Sequence, residues 1–306
     1  MKIGETILLF EDYLRNERRL SGLTVETYLS DLNFFKSYLD REGIGDTGEL
    51  SPLLLRDWEV ELLESGLKSR SVTRKMASLR AWNKFLRKQK IYEKDLFTKI
   101  TSLKTPKRLP VFFRESEMET ALETENIFAG DFEGVRNKLI IELLYVTGMR
   151  RAELISLKDS SVDLQNGFVK VFGKRSKERI VPIESDTRQM IENYILLRNE
   201  KVDNKTDRLF VTLKGNAVYP MLVERVVKTY MSLVSNADKV SPHVLRHTFA
   251  THLLNNGADI NAIKELLGHA NLAATQVYTH NTIERLKETY KTAHPRAKNK
   301  GGFYEY

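Results

Sequence analysis

Apolar residues recur every three or four positions through most of the first ninety residues, the spacing of one buried face of an α-helix. Four segments show this pattern: ETILLFEDYLRNERR, TVETYLSDLNFFKSYLDREG, SPLLLRDWEVELLESG and SVTRKMASLRAWNKFLRKQK. In the fourth, the apolar positions form one continuous stripe: Val72, Met76, Leu79, Trp82, Phe85 and Leu86. Polar residues occupy most other positions, so the pattern predicts a bundle of four amphipathic helices with Trp82 in its core.

Residues that favour helix termini bound the second and third segments. Thr24 is the predicted N-cap of the second helix, and Gly43 is its predicted stop. Ser51 followed by Pro52 predicts the start of the third helix, and Gly66 predicts its end.

The second half of the chain mixes helical and β-type patterns. GFVKVFG and ERIVPI are short β-type runs separated by KRSK, which predicts a hairpin, and RLFVT predicts one more short strand. The helical pattern recurs in SEMETALE, RNKLIIELLYVTG, MLVERVVKTYMSLVS, SPHVLRHTFATHLL, DINAIKELLG, LAATQVYTH and TIERLKETYKTA. This order lacks the βαβ alternation of a parallel sheet, so it predicts an α+β domain with a small sheet.

A basic segment with two prolines separates the halves. LKTPKRLPVFF, residues 103–113, has the composition of an extended linker. The predicted architecture is therefore a mainly α chain of two domains, a helical domain of residues 1–105 and an α+β domain of residues 106–306.

Charge is distributed unevenly along the helical half. Residues 1–67 contain 7 lysines and arginines and 14 acidic residues, whereas residues 68–108 contain 14 and 2. Such a one-sided block is typical of a surface facing a phosphate backbone; a solvated basic face and an anionic-membrane patch are the alternatives. The candidate DNA contacts lie in or just before the fourth helix and in the linker: Arg70, Arg74, Lys75, Arg80, Lys84, Arg87, Lys88, Lys107 and Arg108.

The composition excludes several kinds of site. The chain has no cysteine, which excludes disulfides and thiolate zinc sites and fits a reducing cytosol. It has no run of about 18 apolar residues that would span a membrane. The early acids of MKIGETILLFEDYL do not fit a signal peptide. We therefore expect a cytoplasmic protein, and binding of DNA by the basic block would make it nucleoid-associated.

The segment SPHVLRHTFATHLL holds three of the six histidines of the chain beside Arg246. A metalloprotease helix would need His-Glu-x-x-His, which is absent, and the hydrolase, kinase and P-loop glycine motifs are absent as well. His243 and Arg246 are three residues apart and so share one helix face, where an imidazole and a guanidinium suit a phosphate. His247 and His252 fall elsewhere around the helix and are more typical of core or surface histidines.

Three further segments carry candidate chemistry. TGMRRAEL sets Arg150 just past a predicted helix end, and GKRSKER sets Lys174 in the predicted hairpin turn. GHANLAATQVYTH holds His269 directly after a predicted helix stop and Tyr278 nine residues later. Each signal is weak alone, because a single tyrosine on a helix usually packs.

Together these segments resemble the tyrosine recombinases, or phage-integrase family, and within it the bacterial Xer recombinases most closely. TGMRRAELISL, GKRSKERIVPI, HVLRHTFATHLL, LLGHANLAATQVYTH and HPRA stand in that family's order and separations, and LSGLTVETYLSDL resembles its core-binding domain. The resemblance covers nearly the whole chain except KNKGGFYEY. It implies a helical, SAM-like core-binding bundle followed by an α+β catalytic domain.

The resemblance also assigns roles. It implies a tyrosine nucleophile, two phosphate-binding arginines, a general acid and two histidines: Tyr278, Arg150 with Arg246, Lys174, and His243 with His269. Glu153 corresponds to an acidic residue that orders the site. Arg151, Lys177 and Arg179 lie nearby but are not expected to be primary catalysts. Neither a metal nor a cofactor is expected.

The implied activity is cutting and rejoining of duplex DNA through a 3′-phosphotyrosyl link. By resemblance, the two domains clamp opposite faces of double-stranded DNA and four protomers, identical or of two kinds, assemble on two sites. A C-terminal segment is expected to dock in trans, with packing in cis as the alternative, and a DNA translocase is a candidate partner.

Chromosome-dimer resolution is the expected biological role. Integration, excision or inversion of a mobile element would use the same chemistry. Alternatives of other classes are a type IB topoisomerase and a non-catalytic DNA-binding accessory protein.

Overall fold

The computed structural model describes residues 1–98, 100, 103, 111–173, 178–203, 205–268 and 280–298. The chain forms two compact units, residues 1–108 and 109–306, each with its own hydrophobic core. Among the described residues, no helix is long and apolar enough to cross a membrane.

The first unit is helical, and all four predicted helices are confirmed. Its helices are α1 (Ile3–Asp12), α2 (Gly22–Arg41), α3 (Pro52–Glu64) and α4 (Ser69–Lys88). A π-helical turn, Tyr13–Glu17, extends α1, and a 3₁₀ turn, Thr47–Glu49, precedes α3.

The predicted helix ends are confirmed at three of four places. Gly43 and Gly66 have φ of 74° and 83°, a conformation that favours glycine, and each directly follows the C-cap residue of α2 or α3. The Oγ of Ser51 accepts a hydrogen bond from the Leu54 N–H at 3.3 Å and caps α3. The prediction of Thr24 as the N-cap of α2 is wrong: Ser21 is the N-cap, because Gly22 already adopts helical geometry and begins the helix.

The apolar stripe of α4 forms the centre of the first core, as predicted. Trp82 is fully buried, and so are Val72, Leu79 and Leu86 on the same face. The Trp82 ring lies 6.5 Å from Phe35 of α2, centroid to centroid. The helix therefore holds the bundle together through one face and turns its other face outward.

The second unit surrounds α6 with helices and a small sheet. Its helices are α5 (Glu115–Glu123), α6 (Phe132–Thr147), α7 (Arg151–Ser156), α8 (Ser185–Lys201), α9 (Pro220–Val234), α10 (Pro242–Asn255), α11 (Ile260–Leu267), α12 (His280–Ala293) and α13 (Pro295–Lys298). Its strands are β1 (Val162–Asp163), β2 (Phe168–Phe172) and β3 (Glu178–Pro182), antiparallel in the order β1-β2-β3. A 3₁₀ turn, Asp159–Ser161, precedes β1.

Two details of the predicted sheet need correction. RLFVT is not a strand, because its residues make only single bridges, Lys158 with Arg208 and Val211 with Ala217. Leu209, Phe210 and Val211 are fully buried, so this apolar run is a buried connection rather than a strand. The third strand of the sheet is instead the two-residue β1. The pairing of β2 with β3, Phe172 opposite Glu178, confirms two antiparallel strands where the hairpin was predicted.

The helix α12 packs in cis in this single chain. Leu286, Tyr290 and Ala293 are 1% exposed and belong to the core that α6 and α10 build. Farther along, Arg296 pairs with Glu123 and, at 3.3 Å, with the buried Glu142 of α6. In the single chain, residues 286–296 therefore pack on their own unit. Docking of a C-terminal segment in trans stays a prediction for an assembled complex.

Candidate functional site

The candidate site begins at the C-terminal end of α6, where the chain makes a tight turn at Gly148. Gly148 follows α6 with φ of 56°, and a Cβ there would lie 2.4 Å from Cδ1 of Phe249. Glycine therefore fits both the left-handed backbone and the close approach of α10. The chain turns here, and Arg150 becomes the extended residue that precedes α7.

Glu153 of α7 gathers two of the arginines. Its Oε1 accepts from Arg150 Nη1 at 2.7 Å, and its Oε2 accepts from the Arg150 backbone N–H at 2.8 Å and from Arg179 Nη2 at 2.9 Å. Burial alone would raise the pKa of Glu153, but the hydrogen bond and charge of Arg179 and the bonds from Arg150 hold that pKa below its ordinary value. Glu153 is thus an ionised anchor that fixes the direction of Arg150.

Arg246 reaches the same place from α10. Its Nη1 donates to the Gly148 carbonyl at 2.6 Å and its Nη2 to the Leu267 carbonyl at 2.8 Å. Burial, as the largest cause, and the positive charges of Arg150 and Arg179 together lower the pKa of Arg246 to about 10, with Glu153 acting in the opposite direction. The group loses its proton only as pH rises through about 10, so Arg246 is charged at neutral pH.

The three histidines of α10 have different environments. His243 is exposed one turn before Arg246 and shares its helix face, as the spacing predicted. His252 is 2% exposed; its ring nitrogens lie 2.9 Å from the Tyr145 hydroxyl and 2.9 Å from the Phe113 carbonyl oxygen. His247 lies with its ring 6.4 Å from Phe112. His252 is thus a hydrogen-bonded core histidine.

The structure brings Arg150, Glu153 and Arg246 together, and it adds Arg179 of β3 to them. Lys174, His269 and Tyr278 lie outside the described residues, as do Lys107 and Arg108. In the described part of the chain, no group of three or more His, Asp and Glu side chains is arranged to hold a metal ion.

The contacts of Arg179 were missed by the sequence reading. Its one available signal was an arginine inside the apolar run of ERIVPI, since a buried guanidinium requires a partner.

The basic residues of α4 divide into paired and free groups. The buried Asp31 of α2 accepts from Arg74, from Lys75 Nζ at 3.3 Å and from Ser78 Oγ at 2.7 Å. Lys75 is 8% exposed and its Nζ also lies 4.1 Å from the centre of the Phe34 ring. The prediction that Lys75 belongs to the outer basic surface is therefore wrong, because its ammonium neutralises a carboxylate inside the bundle.

The remaining predicted contacts on this helix are exposed. Arg87 pairs with Asp95 at 3.2 Å, Lys88 pairs with Glu17 at 3.3 Å, and the Arg80 guanidinium lies 4.7 Å from the centre of the Phe97 ring. Arg70 and Lys84 have no partner among the described residues. These two cations are the ones that a phosphate would meet without first displacing an internal contact.

We expect the double variant Arg70→Gln, Lys84→Gln to bind DNA more weakly and with a flatter salt dependence. Each lost phosphate contact reduces the slope of log affinity against log salt by about 0.9, so the pair should reduce it by about 2. Fluorescence anisotropy over a series of salt concentrations measures this slope. Arg56→Gln, which removes one positive charge from the exposed face of α3, serves as the control, and the slopes are compared per charge removed. An equal reduction in the control, or none in the double variant, would show that this face points away from DNA.

Two family models match the chain. One, described as the phage integrase family, matches residues 111–285, and the other, the phage integrase N-terminal SAM-like domain, matches residues 7–90. The chain is similar to tyrosine recombinase XerC of Chlorobaculum tepidum, with 36% identity over 311 residues, 93% of each chain. It is also 36% identical over 295 residues to tyrosine recombinase XerC of Bacillus subtilis (strain 168), covering 95% of this chain and 96% of the relative.

Solved structures agree with these matches. The crystal structure of the XerH site-specific recombinase bound to palindromic difH substrate, a post-cleavage complex, has a TM-score of 0.71 and 26% identity, over 89% of this chain and 80% of that chain. The Tn1549 transposon integrase in complex with transposon right end DNA has a TM-score of 0.73 at 20% identity, over 94% and 99%, a likeness of fold alone. With both family models matched and these identities over nearly the full length, the chain belongs to the phage integrase family, the tyrosine recombinases.

Proposed function

We propose that the chain is a Xer-like site-specific recombinase that cuts and rejoins duplex DNA through a covalent tyrosine link. The observation that carries the proposal is the convergence of Arg150 and Arg246 beside Glu153. Two guanidinium groups held in fixed directions suit the non-bridging oxygens of one phosphate. The similarity to proteins named tyrosine recombinase XerC supports the same assignment.

Tyr278 is the proposed nucleophile. Its oxygen attacks the phosphorus, the bond from phosphorus to the 5′ oxygen breaks, and the products are a 3′-phosphotyrosyl link and a free 5′-OH. A tyrosine hydroxyl with an ordinary pKa of about 10 must lose its proton during this attack. The phosphotyrosyl bond retains the energy of the diester, so the 5′-OH of another strand reverses the reaction without ATP.

The other proposed residues move protons or bind the phosphate. Lys174 protonates the departing 5′ oxygen as general acid. Arg150 and Arg246 bind the non-bridging oxygens, and His243 and His269 add hydrogen-bond donors to them. Glu153 acts on Arg150 rather than on DNA, since both of its oxygens accept bonds from arginines.

The proposed setting is a recombination complex on two DNA sites. We propose that four protomers, identical or of two kinds, assemble there, with each chain gripping double-stranded DNA through both of its units. Chromosome-dimer resolution in the cytoplasm at the nucleoid, with a DNA translocase as a candidate activator, is the proposed role. A mobile-element integrase or invertase would use the same site.

A nicked suicide substrate tests the activity directly. The DNA sequence of this substrate is obtained by recovering and sequencing DNA that stays covalently attached to the protein. The nick lets the short 5′-OH fragment diffuse away, so the covalent adduct accumulates and is measured on a denaturing gel. A nonspecific plasmid is the control, because a type IB topoisomerase would relax it and a site-specific recombinase would not.

We expect the adduct to form at the same rate with and without EDTA. The proposed chemistry draws its charge stabilisation from arginines, so chelation removes nothing that it needs. Adduct formation that stops on chelation and returns with Mg²⁺ would contradict the mechanism. Absence of any adduct would contradict the proposed function itself.

A further inference from the structure

Arg179 is a buried arginine with two partners in different parts of the chain. It lies on β3, is 4% exposed, and donates from Nη2 to Glu153 Oε2 at 2.9 Å and from Nε to the Leu266 carbonyl oxygen at 2.7 Å. One guanidinium thus connects β3 with α7 and with the last turn of α11. A planar fork can hold both directions at once, whereas a single ammonium on a flexible stem does so poorly.

The second partner lies at the entrance to the segment that carries His269 and Tyr278. Leu266 is one residue from the end of α11, and Gly268 follows that helix with φ of 65°. A Cβ on Gly268 would lie 3.1 Å from Cδ of Arg179, so the side chain and this turn are in close contact. The turn at Gly268, where the chain leaves α11, therefore packs against the Arg179 side chain.

Arg246 holds the neighbouring carbonyl of the same helix end. The Leu266 oxygen accepts from Arg179 and the Leu267 oxygen accepts from Arg246. Carbonyls in the last turn of a helix lack intrahelical donors and carry partial negative charge, so two guanidinium groups satisfy and anchor them. The end of α11 is thereby fixed to the phosphate-binding arginine on one side and to Glu153 on the other.

We propose that Arg179 is a positioning residue that holds Glu153 and the last turn of α11 in place beside the phosphate-binding arginines. It acts through Glu153, which directs Arg150, and through the end of α11, where the segment of residues 269–279 begins. The inference rests on the proposed function, since it assigns Arg179 a part in the same cleavage reaction. Arg179 itself does not touch DNA in this proposal, because its guanidinium is buried and occupied by protein acceptors.

The proposal predicts a defect in the chemical step rather than in DNA binding. Displacing reacting groups by about 1 Å can cost about 100-fold in rate. We expect Arg179→Met to reduce the single-turnover rate constant for adduct formation by about that factor at saturating DNA. Its dissociation constant for DNA should stay at the wild-type value. Arg179→Lys keeps the charge and one donor direction, so its rate constant for adduct formation should lie between those of the wild type and Arg179→Met.

Arg198 of α8 provides a matched control. It is 2% exposed and, like Arg179, donates to a carboxylate, Asp159 at 2.7 Å, and to a backbone carbonyl, Leu209 at 3.0 Å. Arg198→Met should lower the melting temperature as Arg179→Met does, but it should cleave at the wild-type rate where both variants are folded. A rate defect of equal size in both variants would mean that Arg179 serves stability alone.

A double-mutant cycle with Glu153 tests the route of the effect. If Arg179 acts partly through Glu153, Arg179→Met should reduce the rate less in a Glu153→Gln background than in the wild type. Rate losses that simply multiply would overturn the coupling. A wild-type rate for Arg179→Met would overturn the inference while wild-type adduct formation still upholds the proposed function; failure of the wild type to form an adduct would refute the function instead.

Discussion

The variant Tyr278→Phe is expected to form no covalent adduct with DNA while binding its recombination site as the wild type does. Removal of the hydroxyl deletes the attacking oxygen, and the phenyl ring keeps the shape and most of the apolar surface of the side chain. A denaturing gel on the nicked substrate measures the adduct, and a native gel on the intact site measures binding.

Tyr290→Phe provides the comparison for this change. Tyr290 lies in α12, is 1% exposed and stacks on His294 with ring centroids 4.6 Å apart, so its loss of a hydroxyl tests packing without touching the proposed nucleophile. It should form adduct at the wild-type rate. Adduct formation by Tyr278→Phe would show that another residue attacks the phosphorus.

Replacement of Arg246 by lysine is expected to reduce the cleavage rate by about 100- to 1000-fold. The guanidinium holds the Gly148 and Leu267 carbonyls at 2.6 and 2.8 Å while it is proposed to bind the phosphate. An ammonium keeps the charge but not the fork, so it cannot serve both carbonyls and two phosphate oxygens. Single-turnover adduct formation at saturating DNA measures the loss.

Arg198→Lys makes the same chemical change at a buried arginine away from the site. Arg198 donates to Asp159 and to the Leu209 carbonyl, whereas Arg246 donates to the carbonyls of Gly148 and Leu267. We expect this variant to melt at a lower temperature and to cleave at the wild-type rate. A wild-type rate for Arg246→Lys would show that charge alone, and not the fork, is needed at this position.

The parts of the fold that follow from local pattern were predictable from the sequence. The stripe of α4 and the stops at Gly43 and Gly66 depend on periodicity and on backbone preference, which act within a few residues. RLFVT misled because a buried apolar run reads as a strand whether or not a partner strand lies beside it. Strand pairing depends on the whole domain, so it cannot be predicted from a segment of five residues.

Only those residues of the candidate site that belong to the family motifs were predictable from the sequence. Family resemblance identified Arg150, Glu153 and Arg246, and the structure brings them together. Lys75 was misassigned because its partner Asp31 stands 44 residues earlier on another helix. The bonds of Arg179 to residues 26 and 87 positions away escaped for the same reason, since nothing local distinguishes a cation that faces DNA from one that faces a carboxylate.

The unequal neutralisation of the arginines has a consequence for the proposed cleavage reaction. Glu153 offsets one positive charge, but Arg246 is held by neutral carbonyls, so three guanidinium groups and one carboxylate leave a net charge of plus two. A phosphodiester at rest carries one negative charge, and its pentavalent form under attack carries a second. In the proposed reaction, the cluster would therefore bind the state at the top of the barrier more tightly than the resting substrate, and this differential binding, rather than affinity for DNA as such, would accelerate cleavage.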